Sequence, residues 1–325
     1  MAFDAIIVGA GIIGASIAWR LSQVRPSRWH GDSYRAVTSG MDIKRVGVVG
    51  SGIMGAGIAE TAARAGLDAV IRSRREESAR RTLADLERSL AGQVERGKLS
   101  EEEAADVIGR VTVTADLDGL ADCDLVVESV VEDLETKKRL FRELDRVLGP
   151  GTIIATNTST LPVVELAVET GRPESVCGIH FFNPAPAMGL VEIVRPLTAS
   201  DETIEAARTF ALTCGKQPIV VKDQAGFIVN HLLFPYLNNA VRLLEQGVAS
   251  RDDIDVAMRG GCNMPMGPLA LLDLVGLDTS VAILDALYEE FRDPHYAAVP
   301  LLRRMVTAGR LGRKTGVGFY DYRKQ

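Results

Sequence analysis

His180 and Glu192 stand at the two ends of the stretch HFFNPAPAMGLVE, with Pro186 equidistant from both. If this stretch folds back around Pro186 as an antiparallel ribbon, the two side chains face each other with Cβ atoms about 5 Å apart. A carboxylate beside an imidazole holds one tautomer and stabilises the imidazolium. A base that takes a hydroxyl proton needs both effects. His180 and Glu192 are therefore the first candidates for acid/base chemistry.

Two glycine patterns suggest what such a base would serve. IIVGAGIIGASIA (6–18) and VGVVGSGIMGAGIA (46–59) each place G-x-G-x-x-G after an apolar strand and before a helix-compatible run. Such glycines allow a tight turn, close approach of backbone to a pyrophosphate, and packing of helix on strand. A working fingerprint also needs a second strand ending in a ribose-reading residue about 20 positions on. GLDAVIRSRRE supplies that strand for the second pattern. The first, built on Gly9, Gly11 and Gly14, runs into SQVRPSRWHGDSYRAVTSG, which holds no apolar strand, and Asp32 there follows none. The second fingerprint is thus expected to bind the nucleotide through Gly50, Gly52, Ile53, Met54 and Gly55. Residues 1–19 resemble the start of an FAD-dependent oxidoreductase, but nothing later continues that likeness. Residues 1–40 are expected to be an N-terminal extension without an FAD site, and Met41 to open the working domain.

The elements that must position these residues follow from patterning. Strand-like runs recur at 45–50, 68–72, 111–114, 124–129, 151–157, 176–182, 190–196 and 217–223, with amphipathic helices between several of them. Ala79, Leu83, Leu86, Leu90 and Val94 share one helical face. This alternation predicts a doubly wound, mainly parallel α/β sheet of Rossmann type over 41–223. Beyond it the strand signals stop, and 224–325 reads as an all-helical domain. Its first helix carries Pro235, a kink signal. SRDDIDVAMRGG starts on a Ser250/Asp253 capping pattern and ends on glycines, and PLALLDLVGLDTSVAILDALYEEF is apolar around much of its circumference.

Bulk properties exclude several classes. The 325 residues suit about two domains. With 37 basic against 43 acidic residues and no basic block, nucleic acid is not expected as a partner. No apolar stretch reaches the roughly 18 residues of a membrane span, and the opening MAFD lacks the positive charge of a signal peptide. Cys123, Cys177, Cys214 and Cys262 lie far apart, with no C-x-x-C pair and no histidine at ligand spacing. Reduced thiols in a cytoplasmic protein without a metal are expected.

NTSTL (157–161), HFFNPAP (180–186), VEIV (191–194), GFIVN (226–230), MPMGPLALLDLVGLD and GRKTGVGFYDY follow one another in this chain. Together they resemble the L-3-hydroxyacyl-CoA dehydrogenase family, especially its short single-function 3-hydroxybutyryl-CoA members, from Met41 onward. The resemblance implies that His180 is the general acid/base and Glu192 its orienting partner. It implies that Ser159 and Asn230 hold the C3 oxygen of the substrate, which gains negative charge on reduction. Glu132, Lys137, Asn183 and Lys314 match positions that contact the nicotinamide nucleotide. Ser89 and Arg96 match positions that contact CoA. An acyl-CoA substrate follows from the same likeness, and a homodimer through the helical domain is expected because its apolar helices exceed what a bundle of about 100 residues would hide alone.

One position departs from the family pattern. Where members end the second strand with an aspartate that binds the adenosine ribose, this chain has Ser73, flanked by Arg72, Arg74 and Arg75. A carboxylate would repel a 2′-phosphate, whereas a hydroxyl among arginines attracts one. NADP(H) is therefore favoured on electrostatic grounds, with NAD(H), the family's habit, as the alternative. Two other readings are weighed: a superfamily dehydrogenase of a sugar acid or carnitine, and a nicotinamide-binding protein without turnover. Relatives of the first kind tend to read H-P-x-N-P-P in place of HFFNPAP. The second is opposed by the intact His180, Glu192, Ser159 and Asn230 set.

Overall fold

The computed structural model describes residues 42–323. The first fingerprint lies outside the described residues. The described residues divide between Val229 and Asn230 into two compact units.

Each of the eight strand-like runs between residues 45 and 223 forms a strand. In chain order the first unit holds β1 (Arg45–Val49), α1 (Ile53–Arg64), β2 (Asp68–Arg72), α2 (Glu76–Glu95), α3 (Glu101–Gly109), β3 (Val111–Thr114) and β4 (Leu125–Glu128). It continues with α4 (Leu134–Val147), β5 (Ile153–Thr156), α5 (Val163–Ala167), β6 (Val176–Phe181), β7 (Leu190–Arg195), α6 (Asp201–Thr213) and β8 (Gln217–Lys222). The eight strands make one sheet in the order β3-β2-β1-β4-β5-β6-β7-β8. All neighbours are parallel except β6 and β7. Central strands such as β4 and β5 are buried throughout, as two-sided coverage by helices requires. One core cluster joins α1, α2 and α6 to one face of the sheet, and the other joins α4 and α5 to the opposite face. This is a doubly wound, Rossmann-type sheet, with the order reversing between β1 and β4, where such folds bind ligands.

The second unit is all helical: most of α7 (Val229–Glu245), then α8 (Arg251–Cys262), α9 (Pro268–Val275), α10 (Leu277–Phe291) and α11 (Pro300–Thr307). Helix α7 runs on through Pro235. Ser250 caps α8, accepting from the Asp253 N–H at 3.2 Å. The helix ends within one residue of its two glycines, at Cys262, where Asn263 turns left-handed at φ 54°. The apolar run after Pro268 divides into α9 and α10 at Gly276, whose φ of 103° only glycine adopts easily. Among the described residues no helix is long and apolar enough to cross a membrane.

Candidate active site

The antiparallel pairing of β6 with β7 sets the dyad. In that register His180 lies directly opposite Glu192, and the imidazole Nδ1 sits 2.7 Å from Glu192 Oε2. Both are buried, at 4% and 0% exposure. The other carboxylate oxygen, Oε1, accepts the N–H groups of Ile228 (3.0 Å) and Val229 (3.1 Å). With Oε1 taken by two N–H donors and Oε2 facing the imidazole, Glu192 acts as an acceptor-only carboxylate. Nδ1 therefore carries a proton and Nε2 is the nitrogen free to exchange one. Gly226 and Phe227 turn through φ 72° and 46° to aim the next two N–H groups at Glu192. A left-handed phenylalanine is strained by about 1–2 kcal/mol. Its ring packs 5.5 Å from the imidazole, and Phe182 lies at 4.6 Å.

Ser159 reaches Nε2, with its Oγ 3.1 Å away. A serine before Leu161 could instead have capped a local turn, but Thr158 Oγ1 accepts the Leu161 N–H at 3.0 Å and leaves Ser159 to the histidine. Behind Ser159 stands Glu132. Its Oε1 accepts the Ser159 N–H at 3.0 Å and also the Thr158 hydroxyl. Glu132 Oε2 pairs with Lys137 Nζ at 3.0 Å. Lys137, on α4, is only 1% exposed and also lies 2.9 Å from both oxygens of the fully buried Glu128. Burial pushes the Glu132 carboxyl up, but the Lys137 ammonium, the Thr158 hydroxyl and the Ser159 N–H outweigh it, so it titrates below the ordinary range. Burial likewise opposes the Lys137 ammonium, and the two carboxylates raise it above the usual lysine value.

Two contributors were not singled out from the sequence. Glu128 reads as the polar end of a strand, and Asn157 as the first letter of NTSTL. Asn157 Oδ1 accepts the Phe181 N–H at 2.8 Å and so pins the end of β5 to the histidine strand. Strand-end polar residues carry such cross-links, but their partners are distant in sequence, so patterning does not reveal them.

The second fingerprint has the geometry its glycines imply. A Cβ on Gly50 would fall 2.2 Å from the Ser129 carbonyl oxygen, and one on Gly55 1.9 Å from that of Gly50. At Gly52, which caps α1 without a side-chain hydrogen bond, a Cβ would meet nothing within 4 Å. The backbone is thus tight on the sheet side and open toward a ligand, and the first turn of α1 holds no acidic residue. These residues fit a dinucleotide pyrophosphate. Ile53 is exposed, while Met54 packs on the core. At the end of β2, Ser73 Oγ lies 2.9 Å from Ser51 Oγ. Arg72 Nε donates to the Ala115 carbonyl at 3.2 Å. Arg74 and Arg75 are exposed.

Asn183 is exposed in the β6–β7 loop. Ser89 is exposed on α2, and Arg96 is the residue that closes that helix. Asn230 and Lys314 belong to the helical unit, where Asn230 is buried in the first turn of α7 and Lys314 Nζ pairs with Asp278 at 2.6 Å. Among the described residues no group of His, Cys, Asp and Glu could hold a metal ion.

A nucleotide-binding sheet joined to a buried His–Glu acid/base pair defines a nicotinamide-dependent oxidoreductase. Family models agree: the NAD-binding domain of 3-hydroxyacyl-CoA dehydrogenase matches residues 45–224, and the C-terminal domain of the same enzymes matches 226–322. The chain belongs to the 3-hydroxyacyl-CoA dehydrogenase family. It is 47% identical over 282 residues to a 3-hydroxybutyryl-CoA dehydrogenase of Mycobacterium tuberculosis, an alignment covering 86% of this chain and 99% of that one. A Clostridioides difficile protein of the same name is 44% identical, with 86% and 100% covered. Among solved structures, (S)-3-hydroxybutyryl-CoA dehydrogenase PaaH1 from Ralstonia eutropha superposes with a TM-score of 0.84 at 42% identity, covering 86% and 99%.

Proposed function

We propose that this chain interconverts a (3S)-3-hydroxyacyl-CoA and the corresponding 3-ketoacyl-CoA, with the four-carbon pair 3-hydroxybutyryl-CoA and acetoacetyl-CoA as its substrates. The observation that carries the reading is the Glu192–His180–Ser159 line, its first two members buried and the serine half-buried, with hydrogen-bond distances of 2.7 and 3.1 Å. The nicotinamide, when bound, supplies or takes the hydride at C3. In the oxidising direction His180 Nε2 takes the C3 hydroxyl proton, and in the reducing direction it returns one to the C3 oxygen. Glu192 steadies the imidazolium through Nδ1–H. The Ser159 hydroxyl donates to the C3 oxygen as negative charge develops there, and the family pattern gives Asn230 the same task. Glu132 and Lys137 hold the Ser159 turn on the nucleotide side, and Ser89 and Arg96 take the CoA nucleotide.

We assign NADP(H) as the cofactor. Ser73 brings no carboxylate to the end of β2, and Arg74 and Arg75 stand exposed without an ion pair among the described residues. Initial rates of acetoacetyl-CoA reduction with NADPH and with NADH test this. The wild type should favour NADPH, and Ser73→Asp should swing the ratio of kcat/KM values toward NADH by about 10- to 100-fold. Preference for NADH in the wild type would keep the reaction and discard the phosphate site. No turnover with either would favour a sugar-acid substrate or a binding protein.

The helical unit exposes Leu232 (67%), Val256 (55%) and Leu274 (50%). Apolar surface of this kind suits a homodimer formed through that unit. Sedimentation of the full chain should give twice the monomer mass.

A further inference from the structure

The loop between the two catalytic strands is held by a side chain with no assigned role. Lys216, at the turn from α6 into β8, is 8% exposed. Its Nζ donates to the carbonyls of Ala185 (2.7 Å), Met188 (2.9 Å) and Pro186 (3.2 Å). An ammonium has three N–H groups, and this one points all three into a single loop. No carboxylate pairs with it among the described residues. The charged and titratable groups facing it are the Cys214 thiol of the α6 end and the Arg64 guanidinium of α1. Burial pushes that thiol to about 12, so it stays neutral. Arg64 is occupied by Glu60 at 2.7 Å.

The same loop meets the fingerprint helix on another side. A Cβ on Gly57 of α1 would lie 3.2 Å from both Ala185 and Pro186. Burying a cation among carbonyls without a counter-ion is costly, and it is tolerated where those carbonyls would otherwise stay unpaired. A surface turn of this length would ordinarily leave its carbonyls to water.

We infer that Lys216 is a positioning residue for the reaction: it clamps the 183–189 loop so that His180 on β6 and Glu192 on β7 keep their register against the nucleotide-binding helix α1. The inference rests on the dehydrogenase reading above. Because burial places the ammonium below the ordinary lysine value, the clamp weakens on the alkaline side, when one of its three donors is lost.

The test compares wild type with Lys216→Met in oxidation of 3-hydroxybutyryl-CoA across pH, together with hydrogen exchange of the 183–189 amides. In the variant kcat should fall by about 10- to 100-fold, the loss expected when a catalytic group is misplaced by about 1 Å. Its loop amides should exchange faster while β1 and β4 stay protected, and the alkaline decline of wild-type kcat should disappear. Wild-type kcat and loop protection in Lys216→Met would overturn the inference. If that variant does not fold, the wild type decides: after correction for intrinsic rates, its loop amides should lose protection at alkaline pH before those of the sheet, and parallel loss would overturn the clamp. A wild type that turns over nothing would defeat the reaction instead, and the loop measurement would still stand.

Discussion

Replacing His180 with alanine lowers kcat for acetoacetyl-CoA reduction by about 10²- to 10⁴-fold and leaves KM within about threefold, the pattern of a group that acts in the transition state alone. The reason is positional. Nε2 is the only nitrogen of the dyad free to exchange a proton, because Nδ1 is committed to Glu192 at 2.7 Å. Glu192→Gln should cost a comparable factor, about 10²- to 10⁴-fold, while barely changing the shape of the site. The amide oxygen must go on accepting the Ile228 and Val229 N–H groups. The amide NH₂ then faces Nδ1 and donates to it, which moves the imidazole proton to Nε2 and removes the base. Steady-state kinetics on the two variants checks both. A Glu192→Gln enzyme near wild-type rate would show that tautomer control is not part of the chemistry.

The second large effect concerns stability. Lys137→Met should destabilise the protein by about 3–5 kcal/mol, because it leaves the buried Glu128 carboxylate without its cation. Among the described residues, Glu128 then keeps only the Val130 N–H (2.6 Å) and the Thr156 hydroxyl (2.7 Å). Removing both charges in Lys137→Met/Glu128→Gln should recover much of the loss, so the two substitutions are non-additive in urea melts. The pH dependence has a definite sign. The Lys137 value is raised on folding, so its contribution is complete at neutral pH and is lost only as pH climbs through the folded value. Glu132 is lowered on folding, so its contribution is present above the ordinary carboxylate range and is lost as pH falls through the lower folded value. A single Lys137→Met variant as stable as wild type would mean the triad adds nothing to folding.

The dyad was legible because a hairpin is symmetric. Pairing across Pro186 follows from counting, and the antiparallel β6–β7 register places His180 against Glu192 as the count requires. The strands were legible because fully buried parallel strands are unbroken apolar runs. The support behind the dyad was not. Lys137 stands in a helix rich in charge, where a lysine normally meets water, and only the tertiary position of β4 buries it. The partners of Lys216 are backbone carbonyls, which carry no signature in sequence. In the helical unit, Gly276, inside an apolar run, divides α9 from α10. Local propensity gives way there to packing that the pattern does not encode.

The most direct test of the central claim is chiral analysis of the product formed from acetoacetyl-CoA and reduced nicotinamide nucleotide by the wild type and by His180→Ala, at equal enzyme concentration. The wild type should yield (3S)-3-hydroxybutyryl-CoA, and the variant almost none. Equal product from both proteins, or no ketone reduction by the wild type, would contradict it.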